Sequence, residues 1–283
     1  MRAYLKTRGD VAGYEAVADA VKAVETVAAS NIQRSRNAAL SQSAYISAVS
    51  GILAAFRRHH SFEDSRLTRP RAAGDRVLMI LSSDRGMVGG LYSRVVATAQ
   101  QIAGDYDRLV SVGEKATKHA RDEGLELSAA LAGIPDRAQT EEIEALSGQA
   151  VHEFLEGGWR SVDILYPRFA SLAVQEPTVV PFLPFHFTAA PDAPPEGPLG
   201  LPILDPSGNA VADELLARFA ALYFHSIAAE AKLSEFAART LAMEQAGNKA
   251  RQRIEQVKLR YFKERRRDFS RKQIESFFAH RAL

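Results

Sequence analysis

The sequence predicts an α/β fold in which a long antiparallel coiled coil of N- and C-terminal helices flanks a small, mostly parallel-sheet α/β domain. Residues 11–58 contain no proline, and residues 230–272 contain no proline and a single glycine, Gly247. Such segments favour long helices. The residues between them alternate short apolar runs with helical segments, which is typical of a parallel sheet with crossover helices.

The N-terminal helix is predicted over residues 1–60 and the C-terminal helix over residues 211–283. Apolar residues of the first helix recur at helical spacing, and Gly9, Gly13 and Gly51 weaken it only locally. The α/β domain alone could not bury both apolar stripes, so we expect the two helices to pack against each other. The predicted contacts join two sets of residues: Val24, Ala28 and Ile32 in the first helix, and Ala238, Leu241 and Gln245 in the second.

The α/β domain is predicted over residues 76–188. Strands are expected at 76–81, 108–112 and 162–166, with residues 172–185 extending the sheet, and helices at 91–103, 113–123 and 141–156. After its first residue, Arg76, the run RVLMIL at 76–81 is continuously apolar, as expected of a parallel strand buried on both faces. A connector at 189–210 is indicated by the prolines that crowd this part of the chain.

Composition excludes several classes of function. The 283-residue chain has no cysteine, so neither a disulfide framework nor a thiolate metal site is possible. No apolar run reaches the roughly 18 residues of a membrane span, and the N-terminus lacks the apolar core of a signal peptide. We therefore expect a chain that is soluble or peripheral to a membrane. We find no set of catalytic residues, and we expect no metal, cofactor or direct small-molecule substrate.

Positive charge is concentrated near the C-terminus. Residues 251–272 carry ten Lys or Arg against three Asp or Glu, a net of +7, whereas the whole chain has a formal charge of +2. Three interpretations stay open on composition alone. The segment could be a solvated face, a nucleic-acid-binding arm that contacts phosphates, or a cationic track that meets an acidic protein partner. Few aromatic residues are interleaved for base stacking, namely Tyr261, Phe262 and Phe269.

A glycine-rich turn, SDRGMVGG at residues 83–90, follows the first strand and precedes a helix. Phosphate-binding loops occupy this position in many α/β folds. The turn lacks both the Lys-Ser/Thr pair of a P-loop and the GxGxxG spacing. It is therefore predicted to be a tight structural turn, with a nucleotide site as the weaker alternative.

Four segments resemble the γ subunit of F-type ATP synthases. Residues 22–30 (KAVETVAAS) are similar to the family's KAMxMVAAxK helix segment, and residues 81–92 (LSSDRGMVGGLY) to its (I/L)(T/S)SDRGLCGGLN turn. Residues 234–246 (SEFAARTLAMEQA) resemble its SExxARMxAMxxA block, and residues 261–265 (YFKER) begin the region of its YNxxRQxxITxEIxEI tail. The resemblance covers nearly the whole chain. Its turn motif corresponds here to Asp84, Arg85, Gly86, Gly89 and Gly90.

The chain departs from the family pattern at several positions. Val24 and Thr26 stand where the family has methionines, Phe262 replaces its usual Asn, and Arg266 replaces Gln. These differences suggest a divergent branch, such as the second F-type enzyme that some bacteria carry.

The resemblance implies a non-catalytic central stalk that rotates inside a hexamer of α and β subunits and couples ion translocation to ATP synthesis or hydrolysis. The implied partners are the α and β subunits, the ε subunit and the membrane ring of c subunits, on the cytoplasmic face of the bacterial inner membrane. No nucleic acid is implied; a nucleic-acid-binding protein with a basic helical arm remains the alternative. The residues expected to contact partners are Lys22, Val24, Lys263, Arg265, Arg266, Arg267 and Ser270.

Overall fold

The computed structural model describes residues 3–57, 62, 65–136, 140–156, 158–186 and 207–281. Five helices and five strands occur in these ranges, in addition to one short 3-10 turn. The helices are α1 (Ala3–Arg57), α2 (Leu91–Ile102), α3 (Glu114–Asp122), α4 (Thr140–Leu155) and α5 (Gly208–Arg281). The strands are β1 (Asp75–Leu81), β2 (Arg108–Val112), β3 (Ala129–Leu131), β4 (Trp159–Phe169) and β5 (Gln175–Leu183). The predicted fold class, with long terminal helices flanking a mostly parallel sheet, is confirmed.

The strands form one five-stranded sheet in the order β3-β2-β1-β4-β5. Strand β1 lies at the centre and pairs in parallel with β2 and β4, and β3 pairs in parallel with β2. Only β5 is antiparallel, because it returns directly from β4 as a hairpin. Residues 77–81 of β1 are fully buried, which explains the uninterrupted apolar run in the sequence.

Each face of the sheet is covered by a hydrophobic core. On one face, side chains of β1 such as Leu78 and Ile80 pack with apolar residues of α2 and α3. On the other face, β1 and β4 pack with α4, with the C-terminal end of α1 and with the first half of α5. Phe56 of α1 and Phe224 of α5 belong to this second core. Parts of both long helices are therefore components of the α/β domain.

Contacts divide the chain into two compact units. Unit 1 comprises residues 1–30 and 239–283, and unit 2 comprises residues 31–238. These boundaries differ from the ranges proposed from sequence, because packing assigns the inner part of each long helix to the sheet. The proposed connector at 189–210 lies almost entirely outside the described residues, and α5 begins at Gly208, three residues before the predicted start.

In unit 1 the N-terminal part of α1 runs antiparallel to the C-terminal part of α5. Lys258 Nζ lies 2.7 Å from Glu15 Oε1. The Thr7 hydroxyl donates a hydrogen bond to the Glu264 carboxylate. A Cβ built on Gly247 would lie 3.6 Å from a methyl group of Val21. As residue numbers rise on one helix they fall on the other, which is the signature of an antiparallel pair.

Two local features differ from the sequence-based expectation. Strand β3 was not predicted, since Ala129–Leu131 is three residues long and lacks the β-branched residues that indicate strands. Strand β4 extends from Trp159 to Phe169, well beyond the predicted 162–166, because its start pairs with β1 and residues 162–169 pair with β5. Within the described residues, no helix combines the length and the apolar character needed to cross a membrane.

Candidate functional site

The glycine-rich turn lies at the carboxyl edge of the parallel strands. It leaves β1 beside the ends of β2 and β3, which are the neighbours of β1 on that side of the sheet. In open α/β sheets this edge is where ligands usually bind. The contacts of the turn therefore decide whether it can hold a phosphate or only stabilises the fold.

The turn itself occupies the N-terminus of α3. Asp84 Oδ1 accepts a hydrogen bond of 2.9 Å from the backbone N–H of Glu114. The next two N–H groups, of Lys115 and Ala116, donate to the Ser83 carbonyl at 3.0 Å and to Ser82 Oγ at 3.0 Å. The first-turn donors of α3 are thus already satisfied by the protein's own oxygens and do not offer an anion site. This geometry supports the structural interpretation of the motif.

Asp84 also fixes the loop that follows β3. Its two carboxylate oxygens lie 3.1 and 3.2 Å from the backbone nitrogen of Gly133. A Cβ built on Gly133 would lie only 2.7 Å from Asp84 Oδ1, so glycine is required for this close approach. The aspartate of the motif therefore links three segments: the end of β1, the start of α3 and the loop after β3.

The remaining residues of the motif shape the same turn. Gly89 has a positive φ of 59°, and Gly90 directly precedes α2. A Cβ built on Gly86 would come within 3.4 Å of the Lys115 side chain. Arg85 points to the β3 loop, where its Nη1 lies 2.5 Å from Asp136 Oδ2.

Asp136 joins the turn to helix α5. Its Oδ1 lies 3.4 Å from Lys232 Nζ, which in turn lies 2.8 Å from Glu235 Oε2. The side chains of Lys232 and Glu235 are only 12% and 1% exposed. A charge-balanced network thus spans from the exposed Arg85 of the turn, through Asp136, to the largely buried Lys232 and Glu235 of the long helix. Sequence reasoning missed this network, because no local pattern relates residues that are about 50 to 150 positions apart.

The basic residues near the C-terminus form the second candidate site. Lys263, Arg265, Arg266 and Arg267 are exposed, and so is Ser270. The two acidic residues nearest to them are already engaged: Glu264 accepts a hydrogen bond from Thr7, and Asp268 lies 3.4 Å from Lys272. Within the part of the chain that the structure describes, none of the four cations has an ion-pair partner.

These cations do not form a single line. Each residue advances a helix by about 100°, so Lys263, Arg266, Arg267 and Ser270 share an arc of roughly 100° on the outer face of α5. Arg265 lies about 160° from Lys263, close to the side that meets α1. The predicted track is therefore three cations on the outer face and one on the flank.

Large apolar side chains lie on the same outer face. Leu259 is 72% exposed, and three phenylalanines, Phe262, Phe269 and Phe277, are 55%, 62% and 64% exposed. Their spacing of three, seven and eight residues keeps them on one side of the helix. An exposed stripe of this size usually marks a surface that a partner covers. Together with the unpaired cations, it defines a mixed apolar and basic surface, which we call the outer face.

Lys22 and Val24 lie on opposite sides of α1. Lys22 is exposed and pairs with Glu25 of its own helix at 2.8 Å. Val24 is half-buried, and it lies within about 60° of Val21, the residue that approaches Gly247 of α5. Val24 therefore belongs to the helix-pairing side of α1, whereas Lys22 is available to another molecule.

Among the described residues, no group of three or more His, Asp or Glu side chains could hold a metal ion. The fold defines a class of protein that combines a pair of long antiparallel helices with a small α/β domain, and its exposed mixed apolar and basic surface is suited to protein contacts.

Comparison with known proteins agrees with this class. The family model described as ATP synthase matches residues 8–270. An ATP synthase gamma chain from Kineococcus radiotolerans is 26% identical, over 91% of this chain and 88% of its own. One from Anaeromyxobacter sp. strain K is 29% identical over 85% of each chain. The chain therefore belongs to the ATP synthase gamma family, whose members are non-catalytic central-stalk subunits.

Solved structures show the same fold at lower identity. A chain of the Euglena gracilis mitochondrial ATP synthase (OSCP/F1/c-ring, rotational state 3) superposes with a TM-score of 0.67 and 16% identity, covering 99% of this chain and 94% of that chain. A chain of the Tetrahymena thermophila mitochondrial ATP synthase central stalk and c-ring gives a TM-score of 0.58 and 19% identity, covering 80% and 98%. None of these comparisons supports the nucleic-acid-binding alternative.

Proposed function

We propose that the chain rotates as the central stalk of a bacterial F-type ATP synthase or ATPase and couples ion translocation to ATP synthesis or hydrolysis. Its helix pair would lie inside a hexamer of α and β subunits. Its α/β domain would rest, together with an ε subunit, on the membrane ring of c subunits. The assembly would be peripheral on the cytoplasmic face of the inner membrane.

The observation that carries the proposal is the outer face of α5. Among the described residues, α5 exposes five large apolar side chains between Leu259 and Phe277, together with several cations that have no ion-pair partner there. A surrounding protein sleeve accounts for the apolar groups, since burial removes them from water. An acidic partner surface accounts for the cations, since complementary charge attracts without requiring one fixed register.

The mixed character of this surface suits a rotor. Exposed ion pairs contribute only about 0–1 kcal/mol each, so they can form and break at every step. Apolar contacts are non-directional and allow one surface to slide past another. Because the two helices present different residues to different sides, each surrounding subunit would meet a different surface. Rotation would then change which subunit conformation is favoured.

Three of the cations provide a direct test of this proposal. The chain would be co-expressed with its α and β subunits, and the purified complex would be assayed for ATP hydrolysis over a range of salt concentrations. Replacing Arg265, Arg266 and Arg267 by Gln should leave the complex assembled, with changed turnover and a weaker salt dependence. Replacing Lys118 and Arg121, which are exposed on α3 in the other unit, is the matched control and should change neither property.

A second variant separates the outer face from the helix pair. Val24→Lys puts a charge on the half-buried pairing side of α1, where desolvation is costly. We expect it to reduce coupling, measured as ions pumped per ATP hydrolysed, more than the triple Arg variant does. If the triple variant abolishes assembly while Val24→Lys behaves as the wild type does, the cations are needed to hold the complex together. Their proposed role in coupling would then be wrong. Failure of the unaltered chain to co-purify with α and β would refute the function itself.

A further inference from the structure

Helix α5 is connected to the carboxyl edge of the sheet by a cluster of charges that is exposed at Arg85 and largely buried at Lys232 and Glu235. Lys232 Nζ lies 3.4 Å from Asp136 Oδ1 and 2.8 Å from Glu235 Oε2, and Arg85 contacts the other oxygen of Asp136 at 2.5 Å. Asp136 belongs to the loop after β3, and Asp84 holds that loop through Gly133. The cluster therefore connects α5 to a loop that is itself fixed to the end of β1.

A second polar anchor connects α5 to the other side of the sheet. Glu230 accepts a hydrogen bond of 2.8 Å from the Tyr166 hydroxyl and one of 3.3 Å from the backbone N–H of Phe169. Both donors lie near the carboxyl end of β4. Burial, together with the hydrogen bond to Glu230, raises the pKa of Tyr166 well above its usual range, so the hydroxyl keeps its proton and remains a donor.

The two anchors lie on opposite flanks of the buried face of α5. Glu230 and Lys232 are two positions apart, which separates them by about 200° around the helix axis. Ala231, halfway between them, lines a cavity of about 10 Å³ together with Leu81 and Ser82 at the end of β1. A space of this size holds one water molecule at most. The helix is thus packed closely onto the sheet between its two anchors.

This arrangement resists rotation of α5 about its own axis. Turning the helix in one direction stretches the contacts of Glu230, and turning it in the other stretches those of Lys232. Apolar contacts change little when surfaces slide, but a hydrogen bond weakens steeply with distance and angle. Only the contact with Asp136 joins Lys232 to the domain, because Glu235 lies on α5 itself; breaking it would leave the largely buried Lys232 without its cross-element partner. Polar groups on both flanks therefore fix the rotational position of the helix more firmly than the apolar core could.

We propose that Asp136, Lys232 and Glu235 on one flank, and Glu230 with Tyr166 on the other, form a torsional latch between α5 and the α/β domain. These are positioning residues: they hold α5 at a fixed angle so that torque passes between the domain and the helix without slipping. The inference rests on the proposed stalk function. It also gives the SDRG turn a role, because Asp84 and Arg85 hold the loop to which the latch attaches.

The test measures torsional stiffness in the assembled complex. The hexamer is immobilised, a bead is attached to the α/β domain, and the width of the bead's angular distribution is recorded while the motor waits for ATP. One variant, Asp136→Asn with Lys232→Met and Glu235→Gln, removes the charges of these three side chains together. A second, Tyr166→Phe with Glu230→Gln, weakens the other flank. The matched control neutralises Glu214 and Arg218, an exposed pair confined to α5.

Both latch variants should widen the angular distribution and lower the number of ions pumped per ATP. Neither latch variant should change the unloaded rate of ATP hydrolysis. The control variant should behave as the wild type does. A merely structural role would lower thermal stability without widening the distribution. If the triple variant fails to assemble, the test rests on the Tyr166 and Glu230 variant. An angular distribution of wild-type width in that variant would refute the proposed latch. If the unaltered complex shows no ATP-driven rotation, the proposed function fails instead, so the two failures are distinguishable.

Discussion

Replacing Asp84 by Ala tests whether the glycine-rich turn serves the fold or binds a ligand. The Asp84 carboxylate accepts hydrogen bonds from the backbone N–H groups of Glu114 and Gly133, at 2.9 and 3.1 Å. Hydrogen bonds to a charged group contribute about 1.5–3 kcal/mol each when protected from water. Because the side chain is exposed, water can form hydrogen bonds in place of those that are lost. We therefore assign about 1 kcal/mol to each hydrogen bond. A negative charge at the N-terminus of α3 adds roughly 0.3–1 kcal/mol.

The expected loss is therefore about 2–3 kcal/mol, and for a unit of this size it corresponds to a decrease in melting temperature of roughly 4–12 °C. Asp84→Asn should lose less, because its amide oxygen still accepts one of the two hydrogen bonds. The assay is thermal unfolding of the purified chain, followed by circular dichroism, alongside calorimetric titration with ATP. A variant as stable as the wild type would refute the structural account. So would micromolar ATP binding by the wild type that disappears in the variant.

Two further predictions concern the same unit. Gly113 has a φ of 101°, and an added Cβ would lie 2.6 Å from Ser82 Oγ and 2.7 Å from the Ser82 carbonyl. Gly113→Ala should therefore lower the free energy of unfolding by about 2–5 kcal/mol, measured by chemical denaturation. A Cβ added at Gly148 in α4 would meet nothing within 4 Å. Gly148→Ala should therefore raise the free energy of unfolding by about 0.5–1 kcal/mol. Equal effects at both glycines would contradict this reasoning. Burial lowers the pKa of His225 below 6.5, although nearby Glu144 opposes the shift. The unfolded state then binds more protons, so stability should fall as the pH drops through about 6.5. His225→Gln should flatten this dependence in denaturation curves recorded on both sides of that pH, and an unchanged slope would rule His225 out as its source.

Much of the architecture could be predicted because it depends on local patterns. The absence of proline and the scarcity of glycine over long stretches predicted α1 and α5, which continue through Gly51 and Gly247 because one glycine costs only about 1 kcal/mol. The apolar run within 76–81 predicted the central strand, since a strand that is buried on both faces has apolar side chains at successive positions. The family resemblance rested on short motifs in the correct order and was confirmed over residues 8–270.

The contacts that give these motifs their roles depended on the tertiary structure. The sequence indicated that the SDRG turn was structural. Only the fold showed that Asp84 accepts a hydrogen bond from the first backbone N–H of α3. Composition concentrated cations near the C-terminus, but helix geometry placed Arg265 on the flank of α5, apart from Lys263, Arg266 and Arg267. Strand β3 forms because β2 is beside it, and its own three residues carry no strand signal.

The latch shows most clearly what sequence alone determined and what it left open. The composition of α5 determined that a helix would form, and it placed Glu230, Lys232 and Glu235 in fixed angular relation to one another. It could not determine that Tyr166 and Asp136 would lie on either side of that helix, because those residues come from a strand and a loop far away in the chain. Helical periodicity is a property of neighbouring residues, whereas the pairing of buried charges follows from where the sheet brings distant segments together.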